Sequence, residues 1–145
     1  IYSANKINYD LPLVRLARET NEGMTEYIYE FIITKLSKLS ISMLAFFGIS
    51  YKENCGQIKN SMYLKIVNKL EKIYKVDIYD YHVKKIHPKL NLVSMKHNVN
   101  KKYDVIIIGS KHNEYKKMKF ERYLRKFGVI IDIHGISMYS ENVIL

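Results

Sequence analysis

The most restrictive feature of this chain is a set of short runs that are apolar at nearly every position. Ser40–Gly48, Val76–Asp80, Tyr103–Gly109 with its core Val105-Ile106-Ile107-Ile108, and Val129–Ile133 are such runs. A strand with one wet face alternates apolar and polar residues, whereas a continuously apolar strand must be dry on both faces. Between the runs the spacing becomes helical, over Asn60–Tyr74 and again over Asn113–Phe127. Strands that alternate with helices specify a parallel sheet covered on both sides.

The expected fold class is therefore α/β: from about Leu39 onward, a Rossmann-like parallel sheet with helices on both faces. Tyr81–Lys102 has the weakest pattern, with room for a short edge strand near Leu90–Met95. One long helix precedes the sheet. Over Leu11–Lys38, Leu13, Leu16, Ala17, Met24, Tyr27, Ile28, Phe31, Ile32 and Leu36 keep close to the i, i+3, i+4, i+7 rhythm of an amphipathic helix. Pro12 suits its first turn, Asp10 could cap it, and Gly23 weakens its interior. No internal repeat is visible.

The length of 145 residues fits one domain, and 48% hydrophobic residues with few glycines and prolines can fill a real core. The single cysteine, Cys55, excludes an internal disulfide and a cysteine zinc site, so a cytoplasmic location is expected. The longest uncharged run, Leu39–Tyr51, has 13 residues, too short to span a bilayer. The first residues show no secretory signal, and Ile1 reads as the middle of something longer. The net charge is +10, but only Arg15, Arg18, Arg122 and Arg125 are arginines and the other cations are lysines. Readers of DNA or RNA lean on the planar arginine fork, so neither nucleic acid nor membrane is expected as a partner. A solvated lysine surface is the simpler reading, with an anionic small molecule left open.

In a parallel sheet ligands lie beyond the carboxyl ends of the strands, here the loops opening at Gly48, Asp80, Gly109 and Asp132. The first loop has neither the G-x-G-x-x-G spacing that admits a dinucleotide pyrophosphate nor a Walker sequence. It does place Lys52 and Lys59 around a helix start that Asn60 or Ser61 could cap, and lysines at a helix N-terminus suit an anion. Cys55 lies near these lysines, yet no histidine adjoins it in sequence, so it reads as an incidental thiol. His82, His87, His97, His112 and His134 lack metal-ligand spacing, and no metal site is expected.

Several segments resemble known motifs. Leu16-Ala17-Arg18-Glu19-Thr20-Asn21-Glu22-Gly23-Met24 looks like A-R-E-x-N-(D/E)-x-M, and Gly48-Ile49-Ser50-Tyr51-Lys52-Glu53-Asn54 looks like G-L-A-Y-K-x-(N/D). Ile58-Lys59-Asn60-Ser61 falls at (I/V)-R-x-S-P, and Val76–Val83 at V-x-x-Y-D-P-x-V. Lys111-His112-Asn113-Glu114-Tyr115 follows D-H-x-E-(F/Y), and Ile131-Asp132-Ile133-His134-Gly135 follows (V/I)-D-x-R-(N/G). Together these resemble the UDP-glucose/GDP-mannose dehydrogenase family, the nucleotide-sugar 6-dehydrogenases. The likeness is greatest to the branch acting on UDP-N-acetylmannosamine or UDP-N-acetylglucosamine.

By that resemblance residues 1–38 are the end of a central dimerisation region and residues 39–145 a C-terminal UDP-sugar-binding domain. The N-terminal NAD-binding domain of that family is expected to be missing from these residues. Such enzymes serve polysaccharide biosynthesis by oxidising a sugar-nucleotide C6 alcohol to a carboxylate with NAD, through a cysteine in G-G-S-C-F-x-K-D. Neither that sequence nor the dinucleotide fingerprint occurs here, so the chain is expected to be a fragment, inactive alone and not binding NAD by itself. The resemblance puts Lys52 on the substrate, Lys59 near the cofactor of a complete enzyme, and His134 where a substrate-contacting arginine is expected. It makes a UDP-sugar the ligand, and a second copy or the missing N-terminal part the partner. Lys59 and His134 replace arginines, Gly56 and Gln57 replace acids, Met62 and Tyr81 replace prolines, and Lys111 replaces Asp. The alternative is a noncatalytic UDP-sugar-binding or subunit-interaction module.

Overall fold

A computed structural model describes residues 11–93, 101–136 and 143–144. The long helix α1 spans Pro12–Leu36, followed by β1 (Leu44–Phe47), α2 (Met62–Leu70), β2 (Val76–Tyr79), β3 (Tyr103–Ile108), β4 (Leu124–Asp132) and β5 (Val143–Ile144). The strands form one sheet in the order β2-β1-β3-β4-β5, and every neighbouring pair is parallel. All residues of β1 and β2 are buried, as double-sided cover requires.

Alternation sorts each strand between two cores. Leu44 and Phe46 of β1, Val76 and Ile78 of β2, and Val105 and Ile107 of β3 face Ile32 and Leu36 of α1 and Ile66, Val67 and Leu70 of α2. Ala45, Phe47, Tyr79, Ile106, Ile108 and Ile130 enter the opposite core with Tyr115 and Phe120. That second face departs from expectation. Asn113–Phe127 is not one continuous helix but two 3₁₀ segments, Asn113–Lys117 and Phe120–Tyr123, after which Leu124 already opens β4. Residues five apart lie on different sides of an α-helix. Breaking the helix at Met118 and Lys119 lets Tyr115 and Phe120 both set their edges against the Phe47 ring, at 5.9 and 5.1 Å.

Several boundaries also tighten. Helix α1 starts at Pro12, with Leu11 as a cap that offers no side-chain bond; Asp10 lies outside the described residues. Near the proposed edge strand Leu92 makes an isolated parallel bridge to Ile78, while Ser94 and Met95 lie outside the described residues. Among the described residues no helix is long and apolar enough to cross a membrane.

Candidate functional site

The carboxyl ends of β1 and β3 meet at two glycines. The Gly109 N–H donates to the Phe47 carbonyl at 2.8 Å and the Ser110 N–H to the Gly48 carbonyl at 2.9 Å. Gly48 has φ +81°, and a Cβ there would lie 2.6 Å from the Ser110 carbonyl oxygen; one on Gly109 would lie 2.4 Å from that of Gly48. Only glycine allows the loops to leave the sheet in contact.

Asp80, at the end of β2, gathers the loops. Its Oδ2 accepts the Ile49 and Ser50 N–H groups at 2.9 and 3.2 Å, and its Oδ1 accepts those of His82 and Val83 at 2.9 and 3.0 Å. His112, fully buried, lies 3.2 Å from Oδ2 through Nε2. Its Nδ1 accepts the Asn54 N–H at 2.8 Å, so the proton of the neutral ring sits on Nε2 and is donated to Asp80 and the Ser50 hydroxyl. Burial works against a charge on Asp80, but the bonds from His112, His82 and Val83 outweigh it and hold the carboxyl below its usual range. Ser50 donates to the Lys52 carbonyl at 2.7 Å. Ser61 accepts from the Leu64 N–H as cap of α2 and donates to the Ile49 carbonyl at 2.6 Å.

The loop so held presents Tyr51 and Lys52 outward. Lys52 and His134 line a single cleft of about 250 Å³, whose walls are completed by Tyr51, Glu53, Tyr63, Ser110 and Lys111. Beyond His134 and Lys111 it continues into a hollow of about 660 Å³ that adds Lys116, Lys117 and Lys119. On the other side Tyr51, Lys52 and Tyr63 also border a cleft of about 760 Å³ shared with Arg18 and Asn21 of α1. Lys59 is exposed and lines none of these spaces. Its backbone N–H is held by Gln57 Oε1 at 3.1 Å. Lys52 and His134 are thus brought together and Lys59 is not.

His134 is exposed as a residue, yet its Nε2 lies 2.5 Å from the buried Tyr63 hydroxyl. Partial desolvation of the ring against Tyr63, then the Lys111 charge, lowers its pKa, against the pull of Asp132 and Glu53. Burial pushes the Tyr63 phenol up to about 12. Cys55 is half-exposed, with Sγ 3.5 Å from the Lys52 carbonyl oxygen. Among the described residues no group of acidic, histidine or cysteine side chains could hold a metal.

A cationic cleft at the carboxyl edge of a parallel sheet is a place for an anion-bearing ligand. Residues 45–138 match the model of the UDP-glucose/GDP-mannose dehydrogenase family, UDP binding domain. The chain belongs to this family. It is 28% identical over 134 residues to the UDP-N-acetyl-D-glucosamine 6-dehydrogenase of Salmonella typhi, covering 88% of this chain and 31% of that enzyme. It is 34% identical over 110 residues to the UDP-N-acetyl-D-mannosamine dehydrogenase of Methanocaldococcus jannaschii, covering 75% of this chain and 25% of the relative. The native structure of the UDP-N-acetyl-mannosamine dehydrogenase from Staphylococcus aureus superposes with a TM-score of 0.71 at 27% identity, over 88% of this chain and 31% of that one. The chain thus spans about a third or less of the proteins it matches.

Sequence reasoning reached Lys52 and His134 through the motifs but missed Tyr63, Asp80 and His112 as parts of the same construction. Asp80 and His112 sit inside quoted motifs, and a carboxylate at a buried strand end was the available signal. Tyr63 had none, since its partner is 71 positions away.

Proposed function

We propose that this chain is the C-terminal, UDP-sugar-binding part of an NAD-dependent UDP-sugar 6-dehydrogenase. In that reading residues 1–38 end the central dimerisation region and residues 39–145 bind the nucleotide sugar. The observation that carries the reading is the convergence of Lys52 and His134 on one cleft. Lys52 supplies an ammonium group for the diphosphate, and Tyr51, about half exposed beside it, offers an aromatic face. Relatives that act on UDP-N-acetyl sugars support an N-acetylated hexose as the sugar.

The described residues do not form a dinucleotide cradle. Gly48 is packed against Ser110 instead of open to a ligand, and the start of α2 is capped by Ser61. Lys59 could therefore serve a cofactor only where another part of a complete enzyme brings NAD to it. The exposed apolar side chains of α1, Leu13, Leu16 and Tyr27 among them, fit burial against a second copy in a homodimer.

Calorimetry tests the reading. The chain should bind UDP-N-acetylglucosamine, more weakly as salt rises, and Lys52→Ala should weaken binding by about tenfold or more, the loss of one charged hydrogen bond. His134→Arg should tighten it, whereas Ile73→Arg, which adds the same charge on an exposed site outside the clefts, should not. Equal gains from both would reduce the cleft to a nonspecific basic surface. A noncatalytic module would give the same binding; NAD reduction by the complete coding product separates the two.

A further inference from the structure

The contact between Tyr63 and His134 extends the UDP-sugar reading and rests on it. Tyr63 comes from the first turn of α2 and His134 from the turn after β4, and their rings meet edge to face with centroids 6.0 Å apart. Tyr63 is only 5% exposed, so its hydroxyl proton needs an acceptor, and among the described residues His134 Nε2 is the one within reach, at 2.5 Å. A neutral imidazole that accepts at Nε2 carries its proton on Nδ1. Among the described residues nothing takes that Nδ1–H, and the ring borders both the 250 Å³ cleft and the 660 Å³ hollow.

We infer that Tyr63 is a positioning residue that fixes His134 as an Nδ1–H donor to the diphosphate, and that this contact becomes charged, and the nucleotide sugar more tightly held, as pH falls. Each charge that faces the ring among the described residues has a place in this. Lys52 and Glu53 come from the loop after β1, and Lys111 from the loop after β3. Asp132, on the strand that carries His134, accepts the His134 backbone N–H at 3.0 Å. Lys116, Lys117, Lys119 and Glu121 line the hollow beyond, and the phenols of Tyr51 and Tyr63 complete the walls. Partial desolvation of the ring, then Lys111, favours the neutral form, and Asp132 and Glu53 the cation. A bound diphosphate adds negative charge, so the complex takes up a proton that the free chain does not hold. Tyr63 resists this protonation: an imidazolium has no lone pair at Nε2, and the phenol proton would have to turn away.

The test is affinity against pH. UDP-N-acetylglucosamine is the suitable probe, because its esterified diphosphate keeps a constant charge where a free terminal phosphate titrates, near about pH 6. Between pH 8 and about 5.5 the intact chain should bind it about three- to tenfold more tightly at the acid end, the difference between a neutral and a charged hydrogen bond. His134→Arg should flatten the profile, which separates this ring from the other histidines. Tyr63→Phe should shift its midpoint upward by freeing Nε2, with little change at the acid limit. Nitrogen NMR of the free chain should show His134 as the Nδ1–H tautomer, and Tyr63→Phe should move it toward Nε2–H. Binding that is flat with pH in the unaltered chain, or an Nε2–H ring, overturns the role of the pair and leaves the UDP-sugar reading standing. No binding at any pH with the Nδ1–H signature intact overturns the UDP-sugar reading and, with it, the ligand assigned to the pair.

Discussion

Asp80 shows how much of the proposed binding site is built by a buried side chain that lines none of its clefts. Its carboxylate takes backbone N–H groups from the loop carrying Lys52 and from its own turn, and the His112 imidazole as well. Asp80→Asn keeps the shape but replaces an acceptor with a donor and removes the charge, so it should cost about 2–3 kcal/mol at neutral pH in urea unfolding. The folded pKa is depressed, so the stabilisation is complete above the unfolded carboxylate range, about pH 4, and is lost as pH falls through the lower folded value. The variant should therefore lose less stability on acidification than the parent chain. Equal acid sensitivity would show that other carboxylates govern it. Lys52 was legible in sequence because it extends from a loop whose position follows from the strand before it. Asp80 could be singled out as a carboxylate at a buried strand end, but its partners, like that of Tyr63, are set by how distant loops fold over the sheet, which no local pattern records.

At the scale of elements, apolar runs located every major strand, and helical spacing located α1 and α2. The stretch between β3 and β4 was misread because alternation cannot distinguish an amphipathic helix from short turns that bury Tyr115 and Phe120 on one aromatic platform. The start of β4 was hidden for a different reason. Tyr103 pairs with Leu124 but Val105 pairs with Val129, so Arg125–Gly128 bulge out opposite Asp104. Arg125 is anchored there by Asp104 and the Ser42 hydroxyl, at 3.0 and 2.7 Å. Phe127 in this bulge has φ +67° and is 87% exposed. A left-handed non-glycine residue costs roughly 1–2 kcal/mol, against the 0.5–1 kcal/mol that glycine loses in chain entropy, and little apolar burial is at stake. Phe127→Gly should thus stabilise the chain by about 0.5–1 kcal/mol, read as a higher urea midpoint with an unchanged slope. A lower midpoint would mean that the Phe127 ring contributes packing its exposure does not reveal.

The whole molecule divides into a well-covered sheet and a helix only partly used by it. Ile32 and Leu36 of α1 are fully buried, while Leu13, Leu16 and Tyr27 are 80, 60 and 70% exposed. Light scattering should therefore report a species larger than the monomer, and Leu16→Glu with Tyr27→Glu should return it to monomer without loss of helix. A monomer at all concentrations that ignores a hydrophobic dye would remove the proposed homodimer. The edge of the sheet that bears the cleft behaves differently, since the Asp80 carboxylate joins loops from two strands and His112 brings in a third. An amide held there cannot meet solvent by a small local opening, because freeing one bond strands the others. In deuterium exchange Ile49, Ser50, His82 and Val83 should follow a common protection factor close to that of the strand interiors, so the ligand meets a surface whose ordering entropy was lost when the chain folded.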